Sequence, residues 1–69
     1  MKNHLEALRL KNGLNQEAFA KEMKVSRQTI SSIENGRYNP SIELAFKISR
    51  YFNLYIEEVF IYEEESKRD

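Results

Sequence analysis

The chain has no cysteine, one histidine, one proline and two glycines in 69 residues. Without cysteine it can hold neither a disulfide nor a thiolate metal site, which suits a reducing cytoplasm. His4 has no second histidine to work with, so no metal cluster or catalytic dyad of workable spacing can be assembled, and the serines lack a base partner. Gly13 and Gly36 are too few for a glycine-rich phosphate loop. No apolar run approaches the ~20 residues that cross a bilayer, and Met1-Lys2-Asn3-His4 leads into no signal-like apolar block. The expectation is a soluble, cytoplasmic protein that is not an enzyme, with no cofactor, no metal, no membrane attachment and no small-molecule ligand.

An excess of one charge is also missing, since eleven acidic and eleven basic residues cancel. The distribution is uneven, however. Residues 1–55 hold nine Lys and Arg against five Glu, a balance of +4, and residues 56–69 hold two against six, a balance of −4. A moderately basic body with an acidic end is compatible with one face turned toward polyanions and a distal terminus repelled from them. At this length the chain is expected to be one domain, 1–69, burying only roughly 60% of its unfolded surface. With disulfides excluded, dimerisation is the remaining source of extra stability.

Helical periodicity fills most of the chain. Residues 3–12 place Leu5 and Leu8 on one face with Ala7 beside them and Glu6, Arg9 and Lys11 outward, and Gly13 takes the position where a left-handed residue closes a helix. Asn15 caps a second segment with Phe19, Ala20 and Met23 on its apolar face, and Ser26 caps a third with Ile30 and Ile33 on its own. Ser41 caps a fourth, Ile42 to Phe52, in which Leu44, Ala45, Ile48 and Phe52 recur at helical spacing. A short helix through Glu58 follows. Val59-Phe60-Ile61-Tyr62 then changes period to a β-branched and aromatic run, and a strand is expected over 59–64 before a frayed tail at 65–69. That strand needs a partner: the N-terminal residues Met1 to His4, the same strand of a second subunit, or both.

The third segment carries an unusual outward face. Arg27, Gln28, Ser31, Ser32 and Asn35 are short-armed donors and acceptors of poor helix propensity, where a helix exposed for solubility alone more often carries Glu and Lys in spaced pairs. Such side chains suit base edges and phosphates, with Gln and Asn matching adenine and Arg matching guanine.

Leu14-Asn15-Gln16-Glu17-Ala18-Phe19-Ala20, Val25-Ser26-Arg27-Gln28-Thr29-Ile30 and Ile33-Glu34-Asn35-Gly36, followed by Asn39-Pro40-Ser41, resemble the helix-turn-helix of the Cro/repressor type, the XRE family, over about residues 3–60. The chain looks particularly like the small one-domain dimeric repressors of the cytolysin-repressor kind, which end in a strand just after the last helix. The resemblance implies an all-α, five-helix DNA-binding domain with a helical core over 3–60 and a short C-terminal strand at a dimer interface. One departure stands in the turn, where Lys24 occupies a position that is commonly glycine.

Carried onto this sequence, the resemblance makes Arg27, Gln28, Ser31 and Ser32 the base contacts, because the N-terminal half of the reading helix enters the major groove. Gln16, Ser26, Thr29, Asn35, Arg37, Tyr38 and Asn39 become phosphate contacts, with Lys24 and Lys11 weaker candidates. Gln16 would also brace the reading helix. Glu34, which phosphate would repel, is expected to pair with a cation or cap backbone. Val59, Phe60, Ile61 and Tyr62 are expected at the dimer interface. The implied partner is double-stranded DNA, and the implied action is repression from an inverted-repeat operator bound by a homodimer. The rival is an antitoxin that neutralises a toxin through its C-terminal strand and acidic tail while regulating its own operon.

Overall fold

The computed structural model describes residues 1–63, so the expected tail and the end of the expected strand lie outside the described residues. Strand β1 (Lys2–Asn3) is followed by helices α1 (Leu5–Lys11), α2 (Gln16–Met23), α3 (Arg27–Glu34), α4 (Ile42–Tyr51) and α5 (Ile56–Val59), and by strand β2 (Phe60–Ile61). Five helices and a two-stranded antiparallel sheet make up the fold, and among the described residues no helix is long and apolar enough to cross a membrane.

The expected helix starts hold. Asn15 Oδ1 accepts from Ala18 N at 2.7 Å, Ser26 Oγ from Thr29 N at 3.1 Å and Ser41 Oγ from Leu44 N at 3.1 Å, each satisfying an amide that the first helical turn leaves without a partner. The helix ends share one device. After α1 through α4 the chain passes through a left-handed residue, Gly13, Lys24, Gly36 and Asn53 in turn. At each, the amide of that residue and the amide after it turn back onto the last carbonyls of the helix, as in Gly36 N to Ile33 O at 3.0 Å and Arg37 N to Ser32 O at 3.0 Å. Lys24, at φ 63° and ψ 42°, therefore does in the turn between α2 and α3 what glycine does elsewhere.

The core lies between the helices and is built from Leu5, Phe19, Met23, Ile30, Ile33, Ile48 and Val59 with their smaller neighbours. Phe52 stacks on Phe19 at 5.4 Å between ring centres, and Tyr51 meets Phe19 edge-on at 5.4 Å, so the end of α4 is riveted onto α2 by aromatic contact.

Three expectations need correction. First, α1 begins at Leu5 and not at Asn3, because Asn3 lies in β1 opposite Phe60 and Lys2 lies opposite Ile61. The strand thus finds its partner in the N-terminal residues of its own chain, with His4 N donating to Val59 O at 2.8 Å. Second, Arg9 is buried while Ala7 is exposed. Leu5, Leu8 and Arg9 follow the three-and-four spacing of an inward face, and residue type had outvoted periodicity at position 9. Third, the strand is shorter than 59–64. Glu58 accepts from Tyr55 N at 2.8 Å at the start of α5, and the helical turn so nucleated runs through Val59. Val59 is 0% and Phe60 7% exposed, so both pack mainly into the core of their own chain, while Ile61 is half-buried and Tyr62 exposed.

Candidate nucleic-acid interface

The outward face of α3 exists because its inward face is firmly held. Ile30 and Ile33 are buried, Ser26 caps its start, and Gly36 closes its end. Arg27 and Gln28 are exposed, and Thr29, Ser31 and Ser32 are half-buried. Of the residues expected to touch DNA, Ser26, Gln28, Thr29, Ser32 and Tyr38 line one shallow groove running along the helix. Base-contact and phosphate-contact candidates are thereby brought side by side. Ser26 and Thr29 hold each other through their hydroxyls at 2.9 Å, which fixes both oxygens at the rim of the groove.

Arg27 and Asn35 lie apart from that groove. Arg27 Nη1 reaches back across the turn to donate to Gln16 Oε1 at 3.3 Å. Asn35 Oδ1 accepts from Arg37 N at 3.0 Å, the local turn expected of an asparagine, and Asn35 faces a second groove that it shares with residues 1–4 and Ile61. Arg37, Tyr38 and Asn39 are exposed in the loop after α3, as are Lys11 and Lys24 on α1 and in the turn.

Behind α3 runs a polar chain that begins in the core. Arg9 Nε donates to Glu34 Oε2 at 2.6 Å and Arg9 Nη2 to Glu34 Oε1 at 3.1 Å, while Arg9 Nη1 donates to the Leu14 carbonyl at 2.9 Å. Glu34 Oε1 also accepts from Gln16 Nε2 at 3.0 Å, and Gln16 passes its other amide atom to Arg27. The hydrogen bond it donates to Glu34 holds the Arg9 guanidinium above its ordinary pKa against the opposing pull of burial, with the charges of Glu34 and Glu6 adding to it. Two things follow for the surface. The Glu34 carboxylate at the end of α3 is neutralised from inside, and the Gln16 amide can take only one orientation, because its NH2 must face Glu34. Glu34 thus pairs with a cation, as expected, and that cation is Arg9.

The geometry is two short helices at a tight turn, the first bracing and the second presenting polar side chains. A family model described as helix-turn-helix matches residues 5–59. The chain belongs to the helix-turn-helix family. Several relatives run nearly end to end with it. An uncharacterized HTH-type transcriptional regulator of Methanocaldococcus jannaschii is 52% identical over 65 residues, covering 94% of this chain and 98% of that protein. Another, from Archaeoglobus fulgidus, is 46% identical over 65 residues, covering 94% of this chain and 93% of its own length. The uncharacterized HTH-type transcriptional regulator YgzD of Bacillus subtilis is 44% identical over 66 residues, covering 96% and 100%. Outside the helix-turn-helix itself but bonded to it, sequence reasoning missed Arg9 on α1, placed outward, and Asn3 in β1, placed in a helix. The signal for Arg9 was available in the spacing of Leu5, Leu8 and Arg9. For Asn3 there was none, since its role depends on contacts far along the chain.

Proposed function

We infer that this chain is a sequence-specific, double-stranded DNA-binding transcriptional regulator, working as one unit and without enzymatic activity. What supports this most is the groove along α3, where Ser26, Gln28, Thr29, Ser32 and Tyr38 gather on the outward face of a helix whose other side is anchored in the core. The names of its helix-turn-helix relatives agree with it. Insertion of α3 into the major groove sets Arg27, Gln28, Ser31 and Ser32 against base edges, while Gln16, Ser26, Thr29, Asn35, Arg37, Tyr38 and Asn39 hold the flanking phosphates.

The finer form of the proposal is a cytoplasmic homodimer that represses by occlusion at an inverted repeat, its two reading helices about one DNA turn, ~34 Å, apart. A largely apolar groove lined by Met1, Ile56, Glu57, Phe60, Ile61 and Tyr62, with Tyr62 78% exposed, is the surface offered to the second copy. Gel shift against promoter fragments from the protein's own locus, with salt varied, tests the DNA reading. One palindromic fragment should win clearly and affinity should fall steeply with salt; equal weak binding to every fragment refutes a dedicated operator reader. Sedimentation tests the dimer: Ile61→Lys should dissociate it, and a wild type already monomeric at tens of micromolar refutes pairing through this face.

A further inference from the structure

Asn3 belongs to no motif, yet it touches three elements at once. Its backbone sits in β1 opposite Phe60. Its side-chain Oδ1 accepts from Leu5 N at 3.0 Å, at the start of α1. Its Nδ2 donates to the Ile33 carbonyl at 2.9 Å, in the last turn of α3, and more loosely to the Met1 carbonyl at 3.3 Å. The orientation of the amide is decided by these partners, since a flip would set NH2 against an amide and oxygen against a carbonyl.

The Ile33 carbonyl is where this matters. It already accepts from Gly36 N at 3.0 Å, and Asn3 supplies a second donor, at the end of the helix where carbonyls carry the negative pole of the helix dipole. The loop that follows hangs from the same turn, because Arg37 N and Tyr38 N both donate to the adjacent Ser32 carbonyl, at 3.0 and 3.2 Å. One neutral side chain therefore joins the two-stranded sheet to the C-terminal end of the reading helix and to the loop carrying Arg37 and Tyr38.

We propose that Asn3 is a positioning residue for DNA recognition, a clamp that fixes the pitch of α3 and its following loop relative to the β1–β2 sheet. The inference rests on the reading of α3 as a DNA-reading helix. Where the sheet face joins two copies, the clamp also sets how the two reading helices are aimed at their half-sites, with the path running from Phe60 through Asn3 to Ile33.

Two variants test it. Asn3→Ser keeps an acceptor for Leu5 N but is too short to span to the Ile33 carbonyl, and Asn3→Ala removes both contacts. In both, amide hydrogen exchange at Gly36, Arg37 and Tyr38 should quicken about tenfold, and in Asn3→Ser the amides of α2 and α4 should stay as in the wild type. Affinity for a duplex selected by the wild type from a random pool should fall about tenfold, while a scrambled duplex of equal length loses less than about twofold. Unchanged exchange, or a loss shared equally by the two duplexes, overturns the proposal. If the wild type selects no duplex, the DNA reading fails on its own terms and exchange alone decides the clamp. A rise confined to Gly36 through Tyr38 then sustains it, and a rise spread over the chain, or none, overturns it.

Discussion

Replacing Arg9 with Met should be among the most damaging single changes this chain can suffer, although Arg9 touches no expected DNA contact directly. The side chains of Arg9 and Glu34 are 6% and 5% exposed, and the guanidinium supplies two of the three donors that Glu34 receives. Arg9→Met keeps roughly the apolar stem of the side chain but leaves a buried carboxylate with Gln16 alone, a change that costs about 3–5 kcal/mol. A chain of this size has roughly 3–10 kcal/mol of total stability, so the variant should lose a third of it or more. With a urea slope of about 1 kcal/mol/M, the low end for small proteins, the unfolding midpoint followed by circular dichroism should drop by ~3 M or disappear. Adding Glu34→Leu should restore much of the loss. The double variant buries no charge, and it removes one partner each from the Leu14 carbonyl and the Gln16 amide, about 1 kcal/mol apiece at most, with Gln16 free to turn toward water. A double variant that is more stable than Arg9→Met by ~2 kcal/mol or more is therefore expected. It should nevertheless read DNA worse, because Gln16 has lost the partner that aims its oxygen at Arg27. A cost below ~1 kcal/mol for Arg9→Met, or a double variant less stable than the single, would refute the reasoning.

Lys24→Gly should relieve a left-handed backbone and stabilise by up to ~1 kcal/mol, a rise of about 4–8 °C in thermal midpoint; a fall would mean that the lysine side chain contributes more than its backbone costs. Asn53→Gly, at φ 60°, should gain less, since asparagine tolerates that conformation better, and thermal melting distinguishes the two. Ser26→Ala removes the oxygen that Thr29 N donates to and frees the Thr29 hydroxyl, so denaturant unfolding should show a loss of ~1 kcal/mol. Arg27→Ala or Gln28→Ala should cost about 1–3 kcal/mol of specific DNA affinity and relax preference at one base pair, read by fluorescence anisotropy on duplexes varied one position at a time; a uniform loss on all duplexes would move the residue from base reading to phosphate holding.

Much of the fold was legible because its signals are local. Asn15, Ser26 and Ser41 cap within three residues of themselves, Gly13 and Gly36 close helices within two, and the apolar spacing of Phe19, Ala20 and Met23 needs nothing beyond its own helix. What escaped depends on partners distant in sequence. Arg9 is buried only because Glu34, 25 positions on, is there to receive it, and Asn3 leaves the helix only because residues 59–61 offer a strand edge and Ile33 a carbonyl. Val59 and Phe60 carry β-prone side chains, but the turn that Glu58 caps at the Tyr55 amide takes the helix one residue further into that run, so that only Phe60 of the two is in the strand. Asn53 gave a weak signal that was passed over: asparagine two residues beyond the last residue of a helix is a candidate for the left-handed closing position. The site fared as the fold did. Ser26, Gln28, Thr29 and Ser32, spaced along one side of α3, line one groove, whereas the division between Arg27, reaching to α2, and Asn35, facing the sheet, depends on the packing of neighbours.

The reading face and the stability of its own helix pull in opposite directions. Ser, Thr, Gln and Arg on eight residues are what close approach to base edges requires, yet Ser and Thr are mediocre helix formers, and an isolated helix shorter than about 12–15 residues is marginal in water. The conformation of α3 must therefore be imposed from outside, and each end shows how. At the start, Ser26 caps the first turn and Gln16, aimed by the Arg9–Glu34 pair, holds Arg27. At the end, Gly36 closes the last turn and Asn3 grips the Ile33 carbonyl from the sheet. Between these anchors Ile30 and Ile33 fasten the inward side, leaving Gln28, Ser31 and Ser32 with no hydrogen bond from their side chains to the rest of the described chain. Tying the ends and leaving the middle free separates the two demands: under the proposed DNA reading, helix geometry is fixed mainly by residues outside the base-contact set, so Gln28, Ser31 and Ser32 can change to suit a different DNA sequence without unmaking the helix that carries them.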